Sequence, residues 1–218
     1  RSLVVGASGG IGRALQTALQ ARGDAVGLSR RDDGLDLTDE ATIAAVLGRL
    51  DGQFDTVIVA TGALVIGQNR PEKSLRALDG AAMARQFAVN AIGPALVLKH
   101  AVRLLPRDRI CRFVALSARV GSIGDNALGG WYSYRAAKAA LNQLIHTGAI
   151  EVARSHPQAI VACLHPGTVE TGLGQGYAAG HPSVTAQQAA AHLLTVLEAL
   201  TPAETGGFYD WAGKPIVW

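Results

Sequence analysis

The sequence predicts an α/β fold, a doubly wound parallel sheet of about seven strands with helices on both faces, in a single domain over residues 1–218. Three observations carry this. Short β-rich runs alternate with segments of helical periodicity along the whole chain. A glycine cluster joins the first such run to the first helix. The 26 glycines fall at turns, and no repeat, linker or low-complexity tract breaks the rhythm.

The elements follow in order. Residues 3–5 read as the first strand, which is short, or else residues precede Arg1. Ile11, Leu15 and Leu19 recur at helical spacing, with Gly23 as a stop. Residues 25–29 form the second strand, and 39–50 a helix with acidic residues in its first turn. Residues 56–60 are the next strand. Asp79 is an N-cap for a long helix over 81–105, closed by Pro106. Residues 112–117 make a buried strand, 118–130 a glycine-rich loop and 131–155 a helix. Residues 160–165 are a strand broken by Pro166-Gly167. Thr185 and Gln188 form a capping box for the last helix, and 206–210 are the final strand.

Composition narrows the function classes. Hydrophobic residues at 49% against 17% charged argue against disorder. The net charge of +3 is scattered, so no nucleic-acid or membrane-surface partner is expected. Cys111 and Cys163 lie in apolar runs and read as reduced core thiols, not as a disulfide or metal pair; no metal site is expected. No signal peptide is evident, the apolar stretches read as too short or interrupted to span a bilayer, and a cytoplasmic setting is expected.

The strand–glycine–helix junction is Gly6-Ala7-Ser8-Gly9-Gly10-Ile11-Gly12. Glycines there allow a tight turn, and backbone N–H groups with the helix N-terminus favour a pyrophosphate. The G-x-x-x-G-x-G spacing departs from the G-x-G-x-x-G fingerprint, but the context is Rossmann-like. The second strand ends in Ser29-Arg30-Arg31, where an acidic residue would bind the ribose 2′-OH of NAD. A guanidinium instead attracts a 2′-phosphate, so NADP(H) is expected in preference to NAD(H), with Arg30 the contact and Arg31 a bystander.

Tyr134 and Lys138 stand four apart on a helix, hence on one face. A cation near the phenol is expected to lower its pKa, making Tyr134 a general acid in reduction and a base in oxidation. Tyr132 is a competitor, but its partner four residues on is the uncharged Ala136.

Gly6–Gly12, Asp36-Leu37, Asn90, the Tyr134/Lys138 pair and the run from Pro166 to Thr171 occur in one order along nearly the whole chain. With them the sequence resembles the short-chain dehydrogenase/reductase family, and Ser117 to Ile123 with Gly129 to Lys138 resembles its subgroup of C-factor and Sniffer-type carbonyl reductases. The resemblance implies hydride transfer between nicotinamide and a small carbonyl or alcohol substrate. It implies that Asp36 and Leu37 contact the adenine side, and that Ala60, Thr61 and Gly62 flank the cofactor. Pro166, Gly167, Thr168, Val169 and Thr171 would cradle the carboxamide. Asn90 would sit at a helix kink and hold a water that relays protons to Lys138. A homodimer or homotetramer is implied by resemblance alone.

Two departures stand out. Val59-Ala60-Thr61-Gly62 replaces the family's Asn-Asn-Ala-Gly, so Thr61 or a water is expected to take over a brace of the central sheet. Ala118 stands where the carbonyl-polarising Ser belongs; Ser117 through a local bulge, Ser122, or no serine then has that role. Arg119 contacts an acidic substrate group, or is a surface or cofactor-facing charge. Residues 172–184, with Tyr177 and His181, are expected to close over the substrate. The alternative function is a non-catalytic NADP(H) sensor or signalling protein on the same fold. An extended-family epimerase is disfavoured because too few residues follow Pro166-Gly167 for a substrate domain.

Overall fold

The computed structural model describes residues 1–171 and 182–218, and the expected closing segment with Tyr177 and His181 lies mostly outside them. Six strands form one parallel sheet: β1 (Ser2–Val5), β2 (Ala25–Leu28), β3 (Thr56–Val59), β4 (Cys111–Leu116), β5 (Ala159–His165) and β6 (Phe208–Asp210), in the order β2-β1-β3-β4-β5-β6. The described residues thus hold six strands where about seven were expected. Beyond β2, at the sheet edge, Ser29 caps a short helix, α2 (Arg30–Asp33), and Leu35 tucks into the core instead of adding a strand. The second strand accordingly ends at Leu28, one residue before its expected end.

The strands read as continuous apolar runs because both faces are covered. On one face Leu3, Val5, Val57, Val59, Phe113, Ala115, Val161 and Cys163 pack with α3 (Glu40–Gly48), α5 (Gly93–Ala101) and α6 (Tyr132–Val152). On the other, Val4, Ile58, Val114, Leu116, Ile160, Ala162 and Leu164 pack with α1 (Gly10–Gln20) and α7 (Ala186–Ala199). The strict alternation is the period-two geometry of a strand read out in three dimensions. Helix caps match their sequence signals: Asp79 accepts from Ala82 N at 2.7 Å before α4 (Gly80–Phe87), and Thr185 and Gln188 close a capping box on α7. Cys111 and Cys163 are free and buried, with thiols pushed up to about 11 and about 12 by burial.

The long helix is not regular. Between α4 and α5 a π-turn spans Ala88–Ile92 and carries Asn90, so the expected kink is an over-wide turn. The whole run Gly80–Leu104 is, at mean hydropathy 1.2, long and apolar enough to cross a membrane by length and composition. That corrects the expectation that no stretch is. Its apolar content has another use here: Ala91, Val97, Leu98, Ala101 and Leu104 belong to the core.

The chain's strand order reverses between β1 and β3, which opens a crevice at their carboxyl ends. The loops after β1, β3, β4 and β5 meet there.

Candidate active site

The glycine loop is built by close approach. Gly6 has φ +95°, and a Cβ on it would lie 2.7 Å from the Ala60 carbonyl oxygen and from Thr61 Cγ2. A Cβ on Gly12 would collide with the Gly6 carbonyl oxygen, so the turn closes only without one. Gly9 N donates to Gly6 O at 3.0 Å. A Cβ on Gly10 would fall 2.7 Å from Thr171 Cγ2, so the segment after Pro166-Gly167 folds onto this loop. Val169 pairs with Val184 across that segment.

Beside the loop lies a hollow of about 290 Å³ lined by Ala7, Ser8, Arg13, Ser29, Arg31 and Asp32 among others. Arg30 is not among its lining residues, and its charge reaches Asp36 instead. Once Ser29 caps α2, the side chains fan out at helical spacing, and Arg31 faces the hollow in an ion pair with Asp32 at 2.9 Å. Each raises or lowers the other as expected of a pair: Arg31 is held up and Asp32 held down. Arg13, missed in the sequence, reaches the same hollow from the first turn of α1 and donates to Ser8 O at 3.3 Å. Its position one residue after Gly12 was a usable signal. Asp36 accepts from Thr38 N at 2.9 Å and Oγ1 at 2.7 Å, and Leu37 packs against Gly93.

Tyr134 and Lys138 lie on one face of α6, both buried, with Lys138 Nζ 5.9 Å from the Tyr134 ring centroid. Lys138 Nζ donates to the Leu116 carbonyl at 2.9 Å and stands 3.3 Å from where a Gly62 Cβ would be. Burial dominates both groups, pushing the phenol up to about 12 and the ammonium down to about 8. Burial moves the phenol up, opposite to the lowering expected from its neighbour.

Asn90 is fully buried and its amide is satisfied by protein groups: Ala63 N donates to its Oδ1, and its Nδ2 donates to Ala63 O, both at 2.9 Å, and to Gln86 Oε1 at 2.6 Å. Gln86 also donates to Leu64 O. Asn90 and Gln86 thus brace the loop after β3, the job expected of Thr61 or a water. Thr61 Oγ1 is instead buried without a partner, as are His165 Nδ1 and His192 Nδ1 among the described residues.

The two candidate serines are held differently. Ser117 Oγ donates to Asn142 Oδ1 at 2.6 Å, and Ser122 Oγ accepts from Asp125 N at 3.0 Å. Ser117 lies one residue beyond the end of β4, and its hydroxyl faces α6; no bulge turns it into the cleft. Ala118 is extended, at φ −147° and ψ 143°. Arg119 pairs with Asp210 at 3.0 Å and Asp125 at 3.3 Å, so its charge is already balanced. His165, at the end of β5, is driven down to about 4 by burial and the Arg119 charge and is neutral at working pH.

A cradle closed to any Cβ, an orphaned hydroxyl at Thr61 and a hollow with two guanidinium groups together fit a phosphorylated dinucleotide.

Comparison with known proteins agrees. A family model described as enoyl-(acyl carrier protein) reductase matches residues 33–209. The chain is 30% identical, over 99% of its length and 98% of the relative's, to the 1-hydroxy-2-glutathionyl-2-methyl-3-butene dehydrogenase of Rhodococcus sp. strain AD45. A structure from Burkholderia multivorans, described as a short-chain dehydrogenase/reductase with bound NADP, superposes with a TM-score of 0.83 at 28% identity, covering 100% of this chain and 98% of that one. The carbonyl reductase Sniffer of D. melanogaster gives the same TM-score, 0.83, at 20% identity over 100% and 98% of the chains, and shares the fold.

Proposed function

This chain is an oxidoreductase of the short-chain dehydrogenase/reductase family, and from that premise we propose that it reduces a small carbonyl compound with NADPH, Tyr134 donating the proton. The observation that carries the reading is the buried Tyr134/Lys138 pair on one face of α6, with Lys138 set against Gly62 at the crevice.

NADPH, when bound, supplies the hydride. The loop from Gly6 to Gly12 would hold its pyrophosphate, and Ser29, Arg31 and Arg13 its 2′-phosphate. Asp36 and Leu37 would flank the adenine side. Thr61 would offer its free hydroxyl beside Ala60 and Gly62. Pro166, Gly167, Val169 and Thr171 would line the carboxamide end.

Burial keeps the Tyr134 phenol protonated at neutral pH, so it would give its proton to the carbonyl oxygen in reduction, and its phenolate would take one back in oxidation. Lys138, charged below about 8, stabilises the phenolate left behind and is held in place by the Leu116 carbonyl. Asn90 fixes the loop that presses Gly62 toward Lys138. With Ala118 in place of a serine, charge on the carbonyl oxygen is met by Tyr134 alone among the groups assigned here. A homodimer or homotetramer is proposed on the family resemblance alone and is checked by light scattering.

A second reading, an NADP(H)-binding sensor without turnover, draws on Ala118 standing where the family's carbonyl-polarising serine belongs and on Ser117 spending its hydroxyl on Asn142. A panel of aldehydes and ketones separates the two. NADPH oxidation by any of them supports the enzyme; tight NADPH binding with no consumption across the panel supports the sensor.

A further inference from the structure

Helix α6 starts without a cap of its own. Trp131 occupies the N-cap place at φ +52° and provides no capping side chain, although the first turn of any helix leaves backbone N–H groups in need of acceptors. The acceptors come from Glu72, in the loop between β3 and α4. Its carbonyl oxygen accepts from Trp131 N at 2.6 Å. Its Oε2 accepts from Ser133 N at 3.2 Å, and its Oε1 accepts from the Ser133 hydroxyl. Glu72 is 8% exposed and Ser133 2%, so these bonds form away from water, and an acidic group at a helix N-terminus is favoured in any case. Ser133 immediately precedes Tyr134, and the Trp131 ring meets the Tyr134 ring edge-on at 6.3 Å.

We propose that Glu72 is a positioning residue for proton transfer: its carboxylate and carbonyl fix residues 131 and 133 and thereby set where the Tyr134 hydroxyl stands. The inference rests on Tyr134 being the proton donor. A buried acid 61 residues away in sequence is otherwise unexplained here, since it lines neither the glycine cradle nor the arginine hollow. Displacement of a reacting group by about 1 Å costs on the order of a hundredfold in rate, which sets the scale expected.

The test compares Glu72→Ala, Glu72→Gln, Ser133→Ala and Tyr134→Phe with the wild-type protein for kcat, NADPH affinity and melting temperature, using the best carbonyl from the panel. Glu72→Ala is expected to lower kcat about 10- to 100-fold while NADPH affinity stays within about twofold. Glu72→Gln, whose amide oxygen still accepts from Ser133 N, should recover most of the loss. Ser133→Ala, which keeps the backbone bonds, should fall between. A Glu72→Ala kcat within about twofold of wild type overturns the proposal, and so does a loss of NADPH affinity parallel to kcat, which marks general unfolding. If Glu72→Ala does not fold, Ser133→Ala decides: an unchanged kcat overturns the proposal. An inactive Tyr134→Phe beside a fully active Glu72→Ala refutes this inference alone; a fully active Tyr134→Phe removes the proton-donor reading and this inference with it.

Discussion

Replacing Lys138 by Met keeps the length of the side chain and removes its charge, which makes the cost of burying that charge measurable. The ammonium is held down at about 8 from an ordinary 10.5, with burial the leading cause and its partner a single carbonyl at 2.9 Å. At about 1.4 kcal/mol per pH unit this fall corresponds to about 3 kcal/mol. The sign follows from which state holds the proton more weakly. Above 10.5 Lys138 is neutral in both folded and unfolded chains and costs nothing. As pH falls from 10.5 to about 8 the unfolded chain takes up its proton first, and the folded state loses stability. Below about 8 the full penalty is present. The stability of wild type minus that of Lys138→Met should therefore rise by about 2–3 kcal/mol between pH 7 and pH 10. Urea unfolding of the cofactor-free proteins at several pH values reads this difference directly. Tyr134 titrates above this window in the folded state and is common to both proteins. A difference that stays flat across the window refutes the buried-cation account.

Other expectations concern the serines and the cofactor groove. Ser117→Ala should leave kcat within about twofold and cost about 1 kcal/mol of stability, since it loses only the bond to Asn142; a hundredfold fall in kcat would return Ser117 to the chemistry. Ala118→Ser, which restores a hydroxyl on extended backbone beside the cleft, should raise kcat in the same assay, and a lower kcat counts against the site geometry. Arg31→Ala should weaken NADPH binding by about tenfold and NADH binding by less than about twofold, as should Arg13→Ala to a smaller extent. Equal losses for both cofactors would remove the 2′-phosphate assignment. Gly12→Ala forces a methyl group against the Gly6 carbonyl oxygen, so both cofactors should bind at least about tenfold more weakly, measured by titration of nicotinamide fluorescence.

The strands, the main helices and the glycine cradle were legible because each rests on local rules: apolar runs, capping residues and a turn that excludes side chains. Asp79 and the Thr185/Gln188 box are examples in which sequence signal and hydrogen bond coincide. What escaped depends on rotation or on distance. Arg31 lines the hollow because Ser29 ends the strand and begins a helix, a local choice that the strand pattern had overrun by one residue. Ser117 looked available until Asn142, 25 residues on, took its hydroxyl. Asn90 was expected to hold a water, and its bonds to Gln86 and the loop at Ala63 are ones that no local pattern announces. Glu72 has no local signal, since its partners are supplied by folding. The tyrosine–lysine pair was found by helical spacing, yet its electrostatics were misjudged: adjacency alone suggested a lowered phenol, and only the burial of both groups shows why it is raised.

The most direct test is stopped-flow oxidation of NADPH by a carbonyl substrate in the Tyr134→Phe protein. Removing one hydroxyl from a buried proton donor should slow hydride transfer by about a thousandfold and leave the NADPH dissociation constant within about twofold. A wild-type rate in that variant contradicts the account.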